Sequence, residues 1–435
     1  YKNKIAALVP LFLFCSPLLW AQKTDTIYNH LDSVIVSSRN FKISQAKNPY
    51  AVSTLDQREI RKTNARTTPE ALMGTAGVFL QKTNHGGGSA FIRGLTGNQT
   101  LLVIDGVRLN NATYRYGPNQ YLNTIDMFTI EKIDVLKGIG AIEYGSDAMG
   151  GVIQLSTKSA NTNDINSFKL SNTSKFLSSQ MERTNRTEVN YASKSWGIVS
   201  GISLKKFGDI MGGETIGIQA PTGYREKNYN IKAILKISDR QEIIFSTQNT
   251  IQKNIPIYHK VVLENFKSNQ VDKQVHNLNY LKYKYRGSVK LISEIIATIS
   301  KQRSIENRSN QKNNASILRR ERDTVHTNGL TAEIISKPTS YSTFNTGMDI
   351  YADIVNSKTT ELNAGTNTQI NKRGLYPNGS KYNNNSLFNI HYFNLGNITI
   401  ITGLRYNFLN IRIPWPIKSF FDRNHTTYSA SKRKA

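Results

Sequence analysis

Tyr229-Asn230-Ile231-Lys232-Ala233-Ile234-Leu235-Lys236-Ile237-Ser238 decides the fold. Tyr229, Ile231, Ala233, Leu235 and Ile237 share one face of an extended chain, and their neighbours are polar apart from Ile234. A period of two is the signature of a strand with one apolar face and one wet face. The same alternation returns at Ile198, Ile202 and Leu204, at Leu281, Tyr283 and Tyr285, and at Leu330, Ala332 and Ile334. It recurs at Phe344, Met348, Ile350, Ala352 and Ile354, and again at Ile398, Ile400, Leu404, Tyr406 and Phe408.

About eleven such strands fit after residue 160. Brief turns (Ser238 to Arg240, Arg286 to Ser288, Lys337 to Ser340, Leu395 to Asn397) alternate with long polar connections. The long ones run from Gly208 to Gly223, Asn254 to Gln274, Ser304 to Thr324 and Asn356 to Asn384. Short turns at one end and long loops at the other describe an up-and-down membrane barrel rather than a soluble sandwich. In lipid every backbone N–H and C=O must be paired, so a spanning sheet closes on itself. Eleven is an odd count and no strand pattern follows Pro414, Trp415 and Pro416, so the reading expects a barrel cut short.

Composition agrees with a β-rich membrane or surface protein. The 435 residues hold 56 Lys plus Arg against 30 Asp plus Glu, a net charge of +26, with 38% hydrophobic residues, 21 Tyr and 17 Phe. A mean hydropathy of −0.43 excludes a bundle of membrane helices. Lys2 and Lys4 precede the apolar run Ile5 to Trp20, followed by Ala21, which reads as a secretory signal peptide over 1–21, with an uncleaved anchor as the alternative. The single cysteine, Cys15, lies inside this run behind Phe14, which does not suit lipidation. Cleavage near Ala21 would leave no thiol for a disulfide, a zinc site or a nucleophile.

Residues 41–160 read as a small α+β domain. Asp56 to Ile60 is a helical turn, Thr68-Pro69-Glu70 starts a short helix over Ala71, Leu72 and Met73, and Leu101–Ile104 and Ile130–Leu136 are buried strands. Within it stand Phe91-Ile92-Arg93-Gly94, Leu101-Leu102-Val103-Ile104-Asp105-Gly106-Val107-Arg108 and Ile130-Glu131-Lys132-Ile133-Asp134-Val135-Leu136-Lys137-Gly138. Glu143-Tyr144-Gly145-Ser146-Asp147-Ala148-Met149-Gly150-Gly151-Val152-Ile153 follows. As an ordered set these resemble the plug domain of TonB-dependent outer-membrane receptors, over roughly residues 30 to 158, of the iron-chelate and haem type.

The resemblance implies a mainly β protein, a plug followed by an antiparallel transmembrane barrel, with residues 161–435 about half of a 22-stranded wall. Residues 22–40 become a periplasmic segment. In it Asp32-Ser33-Val34-Ile35-Val36 resembles the TonB box, whose β-branched residues suit strand addition to a partner; the alternative is an ordinary edge strand. Arg93, Glu131 and Lys137 resemble the charged lock between plug and barrel, although relatives often carry Arg where Lys137 stands, which weakens a bidentate pair. The segment Asn110 to Tyr121 is similar to an apical plug loop. Tyr114, Tyr116 and Tyr121 offer flat amphipathic area, Arg115 an anion partner and Asn119 a polar contact, and a purely structural loop is the equal alternative. His85, beside Gly86-Gly87-Gly88, is a candidate ligand to iron or haem, against the plainer reading of a solvated histidine on a flexible tip.

The resemblance further implies TonB, with ExbB and ExbD in the inner membrane, outer-membrane lipid and lipopolysaccharide, and a small iron-chelate or haem ligand as partners. The place is the outer membrane of a Gram-negative bacterium, and the receptor a monomer. Cobalamin or oligosaccharide is the alternative cargo within the family. A truncated, inactive fragment and a polyanion-binding surface protein are the readings outside it; dispersed basic residues and export argue against nucleic acid. No resident cofactor is expected, because the glycine run lacks the Lys-Ser/Thr ending of a phosphate loop and the seven histidines have no ligand spacing. Neither a nucleophile elbow nor paired carboxylates suggest an enzyme.

Overall fold

The computed structural model describes residues 34–36, 42–44, 51–84, 87–116, 121–138, 140–162 and 166–414. The signal-peptide reading, Asp32, Ser33, His85 and Asn119 lie outside them. Two short strands, β1 (Val34–Val36) and β2 (Lys42–Ser44), pair antiparallel with each other.

The plug follows. Its strands are β3 (Ala51–Leu55), β4 (Val78–Asn84), β5 (Gly87–Ile92), β6 (Thr100–Ile104), β7 (Val107–Arg108), β8 (Ile130–Lys137) and β9 (Gly151–Thr157), with helices α1 (Gln57–Lys62) and α2 (Ala141–Tyr144). Five strands form one sheet in the order β3-β8-β9-β6-β7, in which β6 and β9 run parallel. Both are apolar runs because both faces of these strands are covered. Ile133, Ile153 and Leu155 pack on one side, and Leu101, Val152 and Tyr144 on the other.

Helix α1 begins where the sequence placed it. Asp56 and Glu59 exchange hydrogen bonds with each other's backbone N–H, a capping box. The second expected helix is only a 3-10 turn, Glu70–Leu72, capped by Pro69 without a side-chain bond. Thr68 does not cap it, because its hydroxyl donates to the Ile125 carbonyl at 2.7 Å across the plug.

The wall consists of β10 (Ser167–Leu177), β11 (Glu182–Ala192), β12 (Trp196–Phe207), β15 (Tyr224–Ser238), β16 (Gln241–Pro256) and β17 (Phe266–Val289), then β18 (Ile292–Lys312), β19 (Ile317–Ser336), β20 (Ser342–Asn363), β22 (Ser380–Leu395) and β23 (Ile398–Arg412). Each pairs antiparallel with the next in a 12-stranded sheet, the twelfth member being β21 (Thr368–Arg373), which folds back antiparallel beside the end of β20. Among the described residues β10 and β23 each pair on one side only. A small hairpin, β13 (Ile210–Met211) with β14 (Ile218–Gln219), stands off the sheet, and α3 (Tyr258–Leu263) interrupts the connection from β16 to β17.

Three of the four expected long loops are mostly strand. β17, β18 and β19 continue to Phe266, Lys312 and Ile317, leaving a tip of four residues where Ser304 to Thr324 was read as a loop. Polar composition misled the reading. Antiparallel ladders hold by backbone hydrogen bonds whatever the side chains, so strands leaving the apolar zone lose their apolar rows but keep their pairing.

Alternation along β15 is inverted relative to a soluble protein. Asn228, Asn230 and Lys232 are buried on the inner face, while Tyr229 (45% exposed), Ile231 (37%) and Leu235 (48%) face outward. Ile202, Leu204, Phe245, Leu281, Ile299, Ile350 and Leu387 continue this apolar outer surface. Leaving such side chains in water forfeits about 1.5–3 kcal/mol each, so the surface calls for an apolar surround. Ile234, the exception noted in the sequence, points inward and joins Ile244, Leu278 and Tyr280 in the plug's own core.

Candidate functional site

The described part of the plug top is Asn110 to Tyr116 and Tyr121 to Thr124. Asn110 anchors its base: the buried amide accepts the Leu102 N–H at 3.0 Å and donates to the Thr100 carbonyl at 3.0 Å. Tyr114 and Tyr121 stack at 3.6 Å with planes 7° apart. The Tyr121 hydroxyl donates to the Thr113 carbonyl (3.2 Å) and accepts the Arg115 N–H (2.9 Å), closing the loop on itself. From the wall, Tyr376 donates to the same carbonyl at 2.9 Å and Asp353 accepts the Ala112 N–H at 2.7 Å.

Arg115 meets Glu306 of β18 at 3.1 Å, and Tyr116 stands 77% exposed beside it. Tyr114 and Tyr121 are therefore committed largely to structure, whereas Arg115, Tyr116 and one edge of Tyr121 line an open cavity of about 780 Å³. Gln81 and Lys82 of the plug and Tyr258, His259, Lys260, Gln274 and Arg308 of the wall are among the other residues that line it. The wall residues lie in segments read only as long polar connections, with no motif to single them out.

The cavity is charged yet balanced. Lys82 pairs with Glu70 at 2.8 Å and Lys260 with Glu264 at 2.6 Å. Arg308 reaches Glu306 and Glu321 at 3.4 Å and Asp323 at 2.6 Å. Burial by itself raises the Glu70 carboxyl, but the Arg66 and Lys82 hydrogen bonds and charges bring it down to about 2.

Below the cavity the plug is tied to the wall by three buried carboxylates. Asp105, at φ +49° in the turn from β6 to β7, accepts Lys232 at 3.3 Å and the Tyr280 hydroxyl at 2.9 Å, and its carbonyl accepts Lys282 at 2.6 Å. Burial pushes this carboxyl up, and the Lys232 ammonium with the Thr157 hydrogen bonds overrides it, leaving the pKa below the usual range. Asp126 takes Lys205 at 2.8 Å, Arg186 at 3.2 Å and Ser203 at 2.6 Å, with the same sign of shift for the same reason. Glu143 has no cation: it accepts the Tyr392 hydroxyl at 2.8 Å, and burial raises it to about 8. Its second oxygen is buried without a hydrogen-bond partner among the described residues, the position a retained proton would take.

Arg93, Glu131 and Lys137 are not in this set. Arg93 and Glu131 lie exposed, and Lys137 donates to Ser53 and to the Ala76 carbonyl, both at 2.7 Å and both within the plug. Among the described residues the expected lock thus makes no polar contact with the wall, because the turn at Asp105 and the cap at Asp126 point inward to the wall's cations instead. Gly88 is a point of close approach: a Cβ there would sit 2.9 Å from Pro69. Among the described residues no group of three His, Cys, Asp or Glu could hold a metal.

Comparison with known proteins bears on the first part of the chain and on the fold. The model of the TonB-dependent Receptor Plug Domain matches residues 44–152. The chain carries a TonB-dependent receptor plug. The chain is also similar to the Vitamin B12 transporter BtuB of Vibrio vulnificus strain CMCP6, 33% identical over 165 residues that cover 38% of this chain and 26% of the relative. Plug and wall together share the fold of two solved structures. The Copper transporter OprC superposes with a TM-score of 0.70 over 83% of this chain at 12% identity, and the siderophore receptor PirA from Acinetobacter baumannii with 0.61 over 83% at 16%. The chain spans 55% and 57% of those two structures.

Proposed function

We propose that the chain acts as an outer-membrane receptor that captures a scarce metal chelate at the apical cavity and imports it when TonB displaces the plug. TonB, driven through ExbB and ExbD, would grip Asp32 to Val36, of which Val34–Val36 already adopt a strand suited to addition to a partner sheet. The observation that carries this reading is an open cavity of about 780 Å³, within the size range of small-molecule sites, resting on a plug held beneath it by polar contacts. Outward apolar rows support placement in the outer membrane. The same paired charges argue against a polyanion-binding surface, since every cation named in the cavity has a carboxylate neighbour.

A ferric siderophore or haem is the first reading of the cargo: Tyr116, His259 and the edge of Tyr121 offer flat and coordinating contacts beside balanced charge. Cobalamin is the second, favoured by the relatedness of the plug to BtuB. Uptake of labelled ferric siderophore, haem and cobalamin is to be measured in cells lacking their own receptors and expressing the chain. Accumulation of one chelate, lost when TonB is deleted, is expected. Uptake of none, or uptake indifferent to TonB, would sink the proposal.

A further inference from the structure

A second cavity, sharing no residue with the apical one, collects three of the chain's six methionines. Met73 follows the 3-10 turn of the plug, Met181 sits in the turn from β10 to β11, and Met211 ends β13 in the loop before β15. Segments remote in sequence thus bring these three residues to the lining of one open space of about 640 Å³. Met73 is 54% and Met211 39% exposed, so neither fills a gap in a core, the ordinary use of methionine. Met181 and Met211 are already in contact, the Met211 backbone N–H pointing at the Met181 sulfur at 3.3 Å.

The other side chains of the cavity narrow the chemistry. Its one carboxylate, Glu70, is engaged by Arg66 at 2.6 Å and Lys82 at 2.8 Å, which leaves no uncompensated oxygen charge for magnesium, calcium or zinc. What remains to offer a metal is soft, uncharged sulfur, and thioethers select Cu(I). We propose that Met73, Met181 and Met211 form a binding site for a soft monovalent cation, Cu(I). The site goes beyond the apical-pocket reading and does not depend on which chelate that pocket takes.

The test is anaerobic titration of the detergent-solubilised chain, in a Cys15→Ser background that removes its only thiol, with Cu(I) held by a chromophoric competing chelator. The wild-type methionines should withdraw a single equivalent of Cu(I), and Zn(II) and Mg(II) should not compete. Each of Met73→Leu, Met181→Leu and Met211→Leu should weaken binding by at least about tenfold, the loss that even outer-shell partners of a metal cause. The triple variant should abolish it, while Met149→Leu, at an exposed methionine outside the cavity, should change nothing. Leucine for methionine conserves volume, so the fold is retained and thermal melting verifies it. X-ray absorption of the bound copper should report sulfur neighbours. No Cu(I) withdrawn by the parent chain, undiminished binding by the triple variant, or a shell of nitrogen and oxygen alone would each overturn the site.

Discussion

At the scale of residues, the plug is held by charge placed on two turns and by an uncharged carboxyl on one short helix. Asp105→Asn removes the countercharge of Lys232 inside the interface and leaves a buried ammonium, a change that costs about 3–5 kcal/mol. Denaturant unfolding in micelles should show that loss, and an unchanged midpoint would mean that Asp105 does not anchor the plug. Glu143 behaves oppositely. Its folded-state pKa of about 8 lies above the ordinary 4.5, so its contribution is fully present below pH 4.5 and is lost as pH rises through 8. Melting temperature followed from pH 5 to 9 should therefore fall more steeply in the parent than in Glu143→Gln, which keeps an uncharged side chain at every pH. Parallel curves would contradict a retained proton. Neither role was visible in the sequence: Asp105-Gly106 reads as a turn, and what makes it an anchor is Lys232 and Tyr280, over 120 residues away in the chain.

Elements were easier to read than their ends. Period-two alternation located the wall strands because their outer face meets a uniform apolar surround, so every second position carries the same demand. The upper halves of β17 to β20 escaped, since outside that surround nothing selects alternating residues while the ladder continues. The same asymmetry makes a test. Ile231→Lys puts a charge on the outward face of β15 and should cost about 2–4 kcal/mol in lipid vesicles, measured by urea titration. Lys232, one residue from Ile231, shows the opposite face: it sits inward with Asp105 and Thr157 as partners. A cost at position 231 near zero would imply that this face meets water.

For the whole molecule, the architecture was legible because the plug's ordered set of segments is specific and the wall's pattern is repeated many times. The candidate ligand residues were legible in part. Arg115, Tyr116 and Tyr121 do reach the apical cavity, while Tyr114 lies beneath it, stacked on Tyr121. The wall's share of the cavity was not, because Tyr258, His259, Gln274 and Arg308 are gathered only when strands of different length stand side by side. All of this rests on an outer surface that meets lipid and an inner one that grips the plug. The most direct measurement is spin-label accessibility in vesicles, with single cysteines introduced along β15 from Tyr229 to Leu235 in a Cys15→Ser background. The account predicts alternation, with labels at Tyr229, Ile231 and Leu235 open to lipid-dissolved oxygen and labels at Asn230, Lys232 and Ile234 shielded. Labels at Tyr229, Ile231 and Leu235 that instead collide with a water-soluble quencher, or show no period of two, would contradict it.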